Sequence, residues 1–212
     1  MPLHVLFRDE SIVVVDKPAG LPVEADSAES VVAQAARELG PSGGRAWPRV
    51  VHRLDRGTSG CLLLALDKAA EGALHRAFDE GEVEKEYLVV VGGRPPDEGA
   101  CDTAYGPDPR DRRRFTTRLS TPRRARLRFR AEQRSQDRAL LRVFLDTGRT
   151  HQIRVQLSES GWPVVGDEVY GVPGPRLMLH AHRLGFPHGG RRVTCVAPVP
   201  PELQAAVRNS SS

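Results

Sequence analysis

Residues 52–60 read His52-Arg53-Leu54-Asp55-Arg56-Gly57-Thr58-Ser59-Gly60 and run straight into the apolar stretch 61–66. One carboxylate, Asp55, therefore stands between Arg53 and Arg56 in a polar turn at the start of a strand. Flanking guanidinium groups suit such a carboxylate to serve as a nucleophile or charge stabiliser rather than as an acid. An ordinary turn with a surface ion pair explains the same residues, since Asp, Gly and Ser populate turns of every kind.

A second segment shifts that balance. Asp146-Thr147-Gly148-Arg149-Thr150-His151-Gln152-Ile153-Arg154-Val155-Gln156-Leu157 follows the apolar run 140–145 and packs many side-chain donors into one turn and the residues after it. A helix start with solvated polar residues is its plainer reading. Together the two segments closely resemble the RluA-type family of RNA pseudouridine synthases, whose signature His-Arg-Leu-Asp-x-x-Thr-Ser-Gly is met from His52 to Gly60 without a substitution. Other stretches agree in order: Asp16-Lys17-Pro18-Ala19-Gly20, Lys85-Glu86-Tyr87, residues 148–154, Pro163-Val164-Val165-Gly166-Asp167 and Leu179-His180-Ala181. The resemblance spans roughly residues 5–203.

The resemblance implies isomerisation of a uridine in structured rRNA or tRNA: the bond from C1′ to N1 breaks, the uracil turns, and C5 bonds to C1′. No metal or organic cofactor is required. Asp55 is the implied nucleophile, by a covalent adduct or a glycal route. Arg154 is the implied guanidinium partner of that carboxylate, by a bidentate contact. By the same resemblance Tyr87 is expected to stack on the uracil and assist proton transfer, and Leu179 to pack against the base. The nucleotide has to leave its stack to be reached, and Arg53 is the implied occupant of the vacated place. Arg112, Arg113, Arg114, Arg126 and Arg128 are expected to hold phosphates without reading sequence. Leu127 stands where many relatives have Thr, and the run Arg112-Arg113-Arg114 is more basic than average, so the RNA target stays open.

Composition agrees with a nucleic-acid partner. Residues 108–134 hold eleven Arg against three acids, a net of +8, so within a total of +4 the rest of the chain carries −4. A basic patch on an acidic body is the footprint of a polyphosphate, with RNA or DNA favoured over a membrane because no amphipathic helix accompanies it. A solvated arginine-rich loop reads the same way. No basic leader precedes an apolar run and no eighteen apolar residues occur in succession, so a cytosolic location is expected. The three cysteines, Cys61, Cys101 and Cys195, are odd in number and widely spaced, against a disulfide framework or a zinc site and in favour of buried small residues. His180 and His182 alternate as on a strand, and no metal is expected.

The coarse pattern is α+β: a central, mostly antiparallel mixed sheet flanked by helices and loops. One catalytic domain is expected over residues 1–209, with a disordered tail at 210–212 and no room for the small N-terminal RNA-binding domain that family members often carry. Nothing in the sequence demands more than a monomer. Strands are predicted at residues 5–7, 12–15, 62–66, 87–91, 178–184 and 192–196. Residues 140–145 are expected to pair as a hairpin with an alternating strand around residues 124–130. Helices are predicted over 26–39, with Asp26 and Glu29 in capping-box spacing and Gly40 as a stop; over 68–79 behind an Asp67 cap; and over 150–159, ending at Gly161.

Two other classes compete. A non-catalytic RNA-binding or ribosome-assembly protein would not need Asp55, Tyr87 and Arg154 together. A glycoside hydrolase usually needs two carboxylates flanking the bond, where this sequence supplies arginines; Gly57-Thr58-Ser59-Gly60 is not a Gly-x-Ser-x-Gly elbow.

Overall fold

The structure is a computed structural model that describes residues 2–24, 29–39, 48–172 and 174–208. Asp26, Gly40 and the tail 210–212 lie outside the described residues. Along the chain run β1 (His4–Arg8), β2 (Ile12–Lys17), α1 (Val31–Leu39), β3 (Arg49–Val50), β4 (Ser59–Ala65), α2 (Lys68–Asp79), β5 (Glu84–Gly92) and β6 (Glu98–Ala104). They are followed by β7 (Gly106–Pro107), β8 (Phe115–Thr116), β9 (Arg124–Arg134), β10 (Arg138–Leu145), α3 (Gln152–Glu159), β11 (Leu179–His188), β12 (Arg191–Val196) and α4 (Pro201–Arg208). The chain forms two compact units, Met1–Lys85 with Ala181–Pro198 and Glu86–His180 with Val199–Ser212. Each is an antiparallel sheet with helices packed on it, the expected α+β architecture. Among the described residues no helix is long and apolar enough to cross a membrane.

In the first unit the strand order is β1-β2-β4-β11, with β3 on β4 and β12 on β11. β4 reads Ser-Gly-Cys-Leu-Leu-Leu-Ala and is buried throughout, as a continuous apolar run requires. Its antiparallel register with β2 runs from Ile12↔Ala65 to Lys17↔Gly60, so the chain leaving Lys17 and the chain entering Gly60 meet at one sheet end. α2 starts where its sequence says it should: Asp67 accepts a hydrogen bond from the Ala70 N–H at 2.8 Å. Its Leu74 and Ala77 bury against Leu63, Phe186 and Cys195. Cys61 and Cys195 are indeed small core residues, whereas Cys101 is only half-buried. α1 begins at Val31, and Ser30 Oγ accepts from the Ala33 N–H at 3.1 Å, a cap that the Asp26 and Glu29 spacing does not anticipate.

In the second unit the order is β5-β10-β9-β6, with β9 and β10 forming the expected hairpin. Both arms are longer than predicted, closing at a turn where Ser135 N–H bonds to Arg138 O. β9 alternates as its sequence dictates: Ala125, Leu127 and Phe129 are buried and Arg124, Arg126, Arg128 and Arg130 exposed. One face of this sheet, with Tyr87, Val89, Leu127, Phe129 and Val143, packs under Ile153 and Leu157 of α3. On the other face Leu88, Val90 and Leu140 pack under Leu203, Ala206 and Val207 of α4. The β7–β8 hairpin stands on the α3 side, its Phe115 set among Tyr105, Ala125, Val155 and Tyr170. α3 starts at Gln152 rather than residue 150, because His151 takes the left-handed conformation (φ 57°) and cannot continue a helix backward.

Candidate active site

Asp55 lies in the loop between β3 and β4, and that loop is tied down on three sides. Lys17, fully buried at the end of β2, donates from Nζ to the carbonyls of Pro18 (2.9 Å), Leu21 (2.6 Å) and Arg56 (3.0 Å). Gly20 and Arg56 add a reciprocal pair, Gly20 N–H to Arg56 O and Arg56 Nε–H to Gly20 O, each at 2.8 Å. The Thr58 N–H closes the turn onto Asp55 O at 3.0 Å. The Asp-Lys-Pro-Ala-Gly stretch near the start of the chain is thus the clamp for the loop that carries the carboxylate. Sequence alone does not disclose that role, because nothing in the two segments shows that β2 and β4 end together.

His52 secures the loop's other side. Its Nε2 accepts the Leu63 N–H at 3.0 Å, and its ring stacks on Phe78 at 5.0 Å between centroids. Burial, and after it the charge on Lys85, push the imidazole down to about 3, so the ring stays neutral and keeps the lone pair this bond needs. Gly60 has φ +108°, and a Cβ there would lie 2.2 Å from Ala181 O; only glycine fits this approach of β4 to β11. Asp55 itself is half-buried, and Arg53 and Arg56 are exposed. Among the described residues the Arg53 side chain makes no ion pair or hydrogen bond.

The second unit carries Tyr87, Leu179 and Arg154. Tyr87 and the 4 % exposed Leu179 belong to the cluster under α3, and Arg154 projects from that helix. The polar residues of the 146–157 segment have separate structural duties. Gln152 Oε1 accepts from Thr147 Oγ1 (2.7 Å) and the Arg149 N–H (3.0 Å), while its Nε2 donates to Arg126 O (2.9 Å). Gln156 Nε2 reaches Thr103 Oγ1 at 2.8 Å and Ala125 O at 3.0 Å, locking the helix to β6 and β9.

Arg154 itself is forked onto a carboxylate to which the sequence assigns no role. Its Nε and Nη2 donate to Asp167 Oδ2 and Oδ1 at 2.7 and 2.9 Å, and both side chains are buried. The Asp167 Oδ1 also accepts the N–H groups of Val169 (2.9 Å) and Tyr170 (3.1 Å). Burial opposes the charge on Asp167, but the Arg154 guanidinium and these two N–H groups outweigh it and hold the carboxyl below its ordinary range. Tyr170 lies beneath the guanidinium, 5.2 Å from ring centroid to Cζ, and its hydroxyl accepts the Phe115 N–H and meets His151 Nδ1 at 3.0 Å. The signal for Asp167 is present in Pro163-Val164-Val165-Gly166-Asp167; the group it holds is not.

The five candidate RNA-binding arginines fall into two groups. Arg112, Arg113 and Arg114 occupy the tip of the β7–β8 hairpin on the α3 side, a loop closed by Asp108 N–H to Arg114 O and by Asp111, which forks Arg113. Thr116 and Thr117 fasten its base to Glu159 at the end of α3. Arg126 and Arg128 instead stand on the face of β9 opposite Leu127 and Phe129, with Arg128 3.3 Å from Asp146. Among the described residues no group of three or more His, Cys, Asp or Glu is placed to hold a metal ion.

A family model described as RNA pseudouridylate synthase matches residues 11–159. An "Uncharacterized RNA pseudouridine synthase" of Chloroflexus aurantiacus is 43 % identical over 173 residues, covering 78 % of this chain and 54 % of that one. The "Ribosomal large subunit pseudouridine synthase D" of Xanthomonas campestris pv. campestris is 35 % identical over 238 residues, covering 100 % of this chain and 71 % of its own. Among solved structures, "Human RNA Pseudouridylate Synthase Domain Containing 1" is similar with a TM-score of 0.83 and 29 % identity, over 96 % of this chain and 86 % of the other. The chain spans from about half to about seven tenths of the length of these two curated relatives. With more than half of its residues matched by the family model and a solved fold followed almost end to end, the chain belongs to the RNA pseudouridylate synthase family.

Proposed function

We propose that this protein converts a uridine in structured RNA to pseudouridine, and that within its family it is of the RluA type. Asp55 acts at the sugar of an extruded nucleotide, by a covalent adduct or a glycal route, and the C1′–N1 bond breaks. The uracil turns, C5 bonds to C1′ as any bond from Asp55 to the sugar is broken, the C5 proton leaves, N1 gains one, and the product is an isomer of the substrate. Arg154 supports the Asp55 carboxylate, Tyr87 and Leu179 hold the detached base, and Arg53 fills the gap in the RNA stack. Such extrusion costs a few kcal/mol, which phosphate contacts from Arg112, Arg113 and Arg114 help to offset.

The observation that carries this reading is the unbroken signature around Asp55, mounted on a loop clamped by Lys17 and His52. A reactive side chain needs such a mount, because a misplacement on the order of 1 Å already slows catalysis heavily. Several relatives bear the name ribosomal large subunit pseudouridine synthase D, which makes large-subunit rRNA the first substrate to try and tRNA the second. Modified uridines mapped across total RNA with and without the gene supply the test. Loss of a small, defined set of pseudouridines supports the proposal. Identical maps, with no conversion of rRNA or tRNA by the purified protein, favour a non-catalytic RNA binder.

A further inference from the structure

We infer that Asp167 is a positioning residue for the reaction, acting only through Arg154; this rests on the role proposed above for that arginine. A single-point contact would let the guanidinium swing about its last bonds. The two-point fork onto Asp167, at 2.7 and 2.9 Å, fixes both its position and its plane. Asp167 cannot follow a moving partner either, because its Oδ1 is held by the Val169 and Tyr170 N–H groups and its side chain is wholly buried. The turn that delivers it is equally constrained: Gly166 has φ +77°, and a Cβ there would lie 1.8 Å from Arg176 O.

Stability alone is a poor reason for this arrangement. A buried ion pair usually contributes no more than two well-packed apolar side chains of similar volume. What the pair supplies, and an apolar pair cannot, is a cation of fixed orientation, which Asp167 holds in place without touching substrate.

The test measures single-turnover rate and RNA affinity separately. Asp167→Asn keeps the shape and an acceptor for the two N–H groups but removes the charge; its rate is expected to fall about 100-fold, with RNA dissociation constants within about threefold of wild type. Because that variant leaves Arg154 buried without a counter-charge, a second comparison guards against misfolding. Added to Arg154→Met, Asp167→Asn should raise the melting temperature, because it removes a buried charge without a partner and keeps the acceptor, while changing the rate by less than about twofold. A folded Asp167→Asn enzyme with wild-type rate overturns the inference, as does a further large loss when Asp167→Asn is added to Arg154→Met. Failure of the underlying reading looks different, because the wild-type protein then forms no pseudouridine and the inference falls with it.

Discussion

Lys17 and His52 decide whether Asp55 is held still, and neither touches substrate in this account. Lys17→Met replaces a buried ammonium with a side chain of similar length and takes the Nζ donor from the Pro18 and Leu21 carbonyls, while Arg56 O keeps the Gly20 N–H. Leaving acceptors unsatisfied costs about 1–3 kcal/mol apiece, so a loss of at least about 2 kcal/mol in urea unfolding is expected, with slower turnover. Wild-type stability in that variant would contradict the clamp. His52 gives a pH signature. Its folded-state value of about 3 lies below the ordinary 6.5, so the unfolded chain takes up the proton first; the stabilisation is complete above pH 6.5 and is lost as pH falls towards 3. Between pH 6.5 and 5 the loss is about 2 kcal/mol. Carboxylates held below their ordinary range, such as Asp167, weaken folding only at lower pH. Urea unfolding at pH 7 and pH 5 should therefore show a shallower pH dependence in His52→Gln than in wild type, and equal dependence would remove His52 from the account.

Elements with strong local signals are legible in the sequence, and those defined by distant partners are not. α2 announces its Asp67 cap and its apolar spacing, and β9 its strict alternation. β6 reads Glu-Gly-Ala-Cys-Asp-Thr-Ala, with little strand propensity. Gly99 makes room for the Phe129 ring directly opposite, a contact supplied by a strand thirty residues away. α4 gives no sign of itself because its Leu203, Ala206 and Val207 form a short apolar stripe that gains meaning only against β5 and β10. The arginine-rich segment is legible as charge but not as geometry: it divides between a hairpin tip on the α3 side and the opposite face of β9. That division predicts separate phenotypes. Alanine at Arg112, Arg113 and Arg114 should raise KM for RNA and reduce the salt slope of binding by about 3, near one for each phosphate no longer neutralised. Alanine at Arg126 and Arg128 should do less, and the reverse ranking would place the RNA on the other face.

Across the whole molecule, the sequence pattern identifies the chemistry, and the structure supplies its supports. The residues implied by resemblance, Asp55, Tyr87 and Arg154, are recognisable because they sit inside contiguous motifs. Lys17 and Asp167, which hold two of them, lie in motifs of their own whose partners are 39 and 13 residues away. Periodicity carries no information about such pairings, because register and loop closure set them. The uneven charge, +8 within residues 108–134 and −4 elsewhere, also belongs to this scale, and RNA binding is expected to weaken strongly with added salt. Catalysis by Asp55 is the claim on which the rest stands. Its most direct test is release of tritium from RNA labelled at uridine C5, measured for wild type and Asp55→Asn beside their RNA dissociation constants. Release equal to the pseudouridine formed by the wild type, and none from an Asp55→Asn protein that still binds RNA, is the predicted result; undiminished release from Asp55→Asn would contradict it.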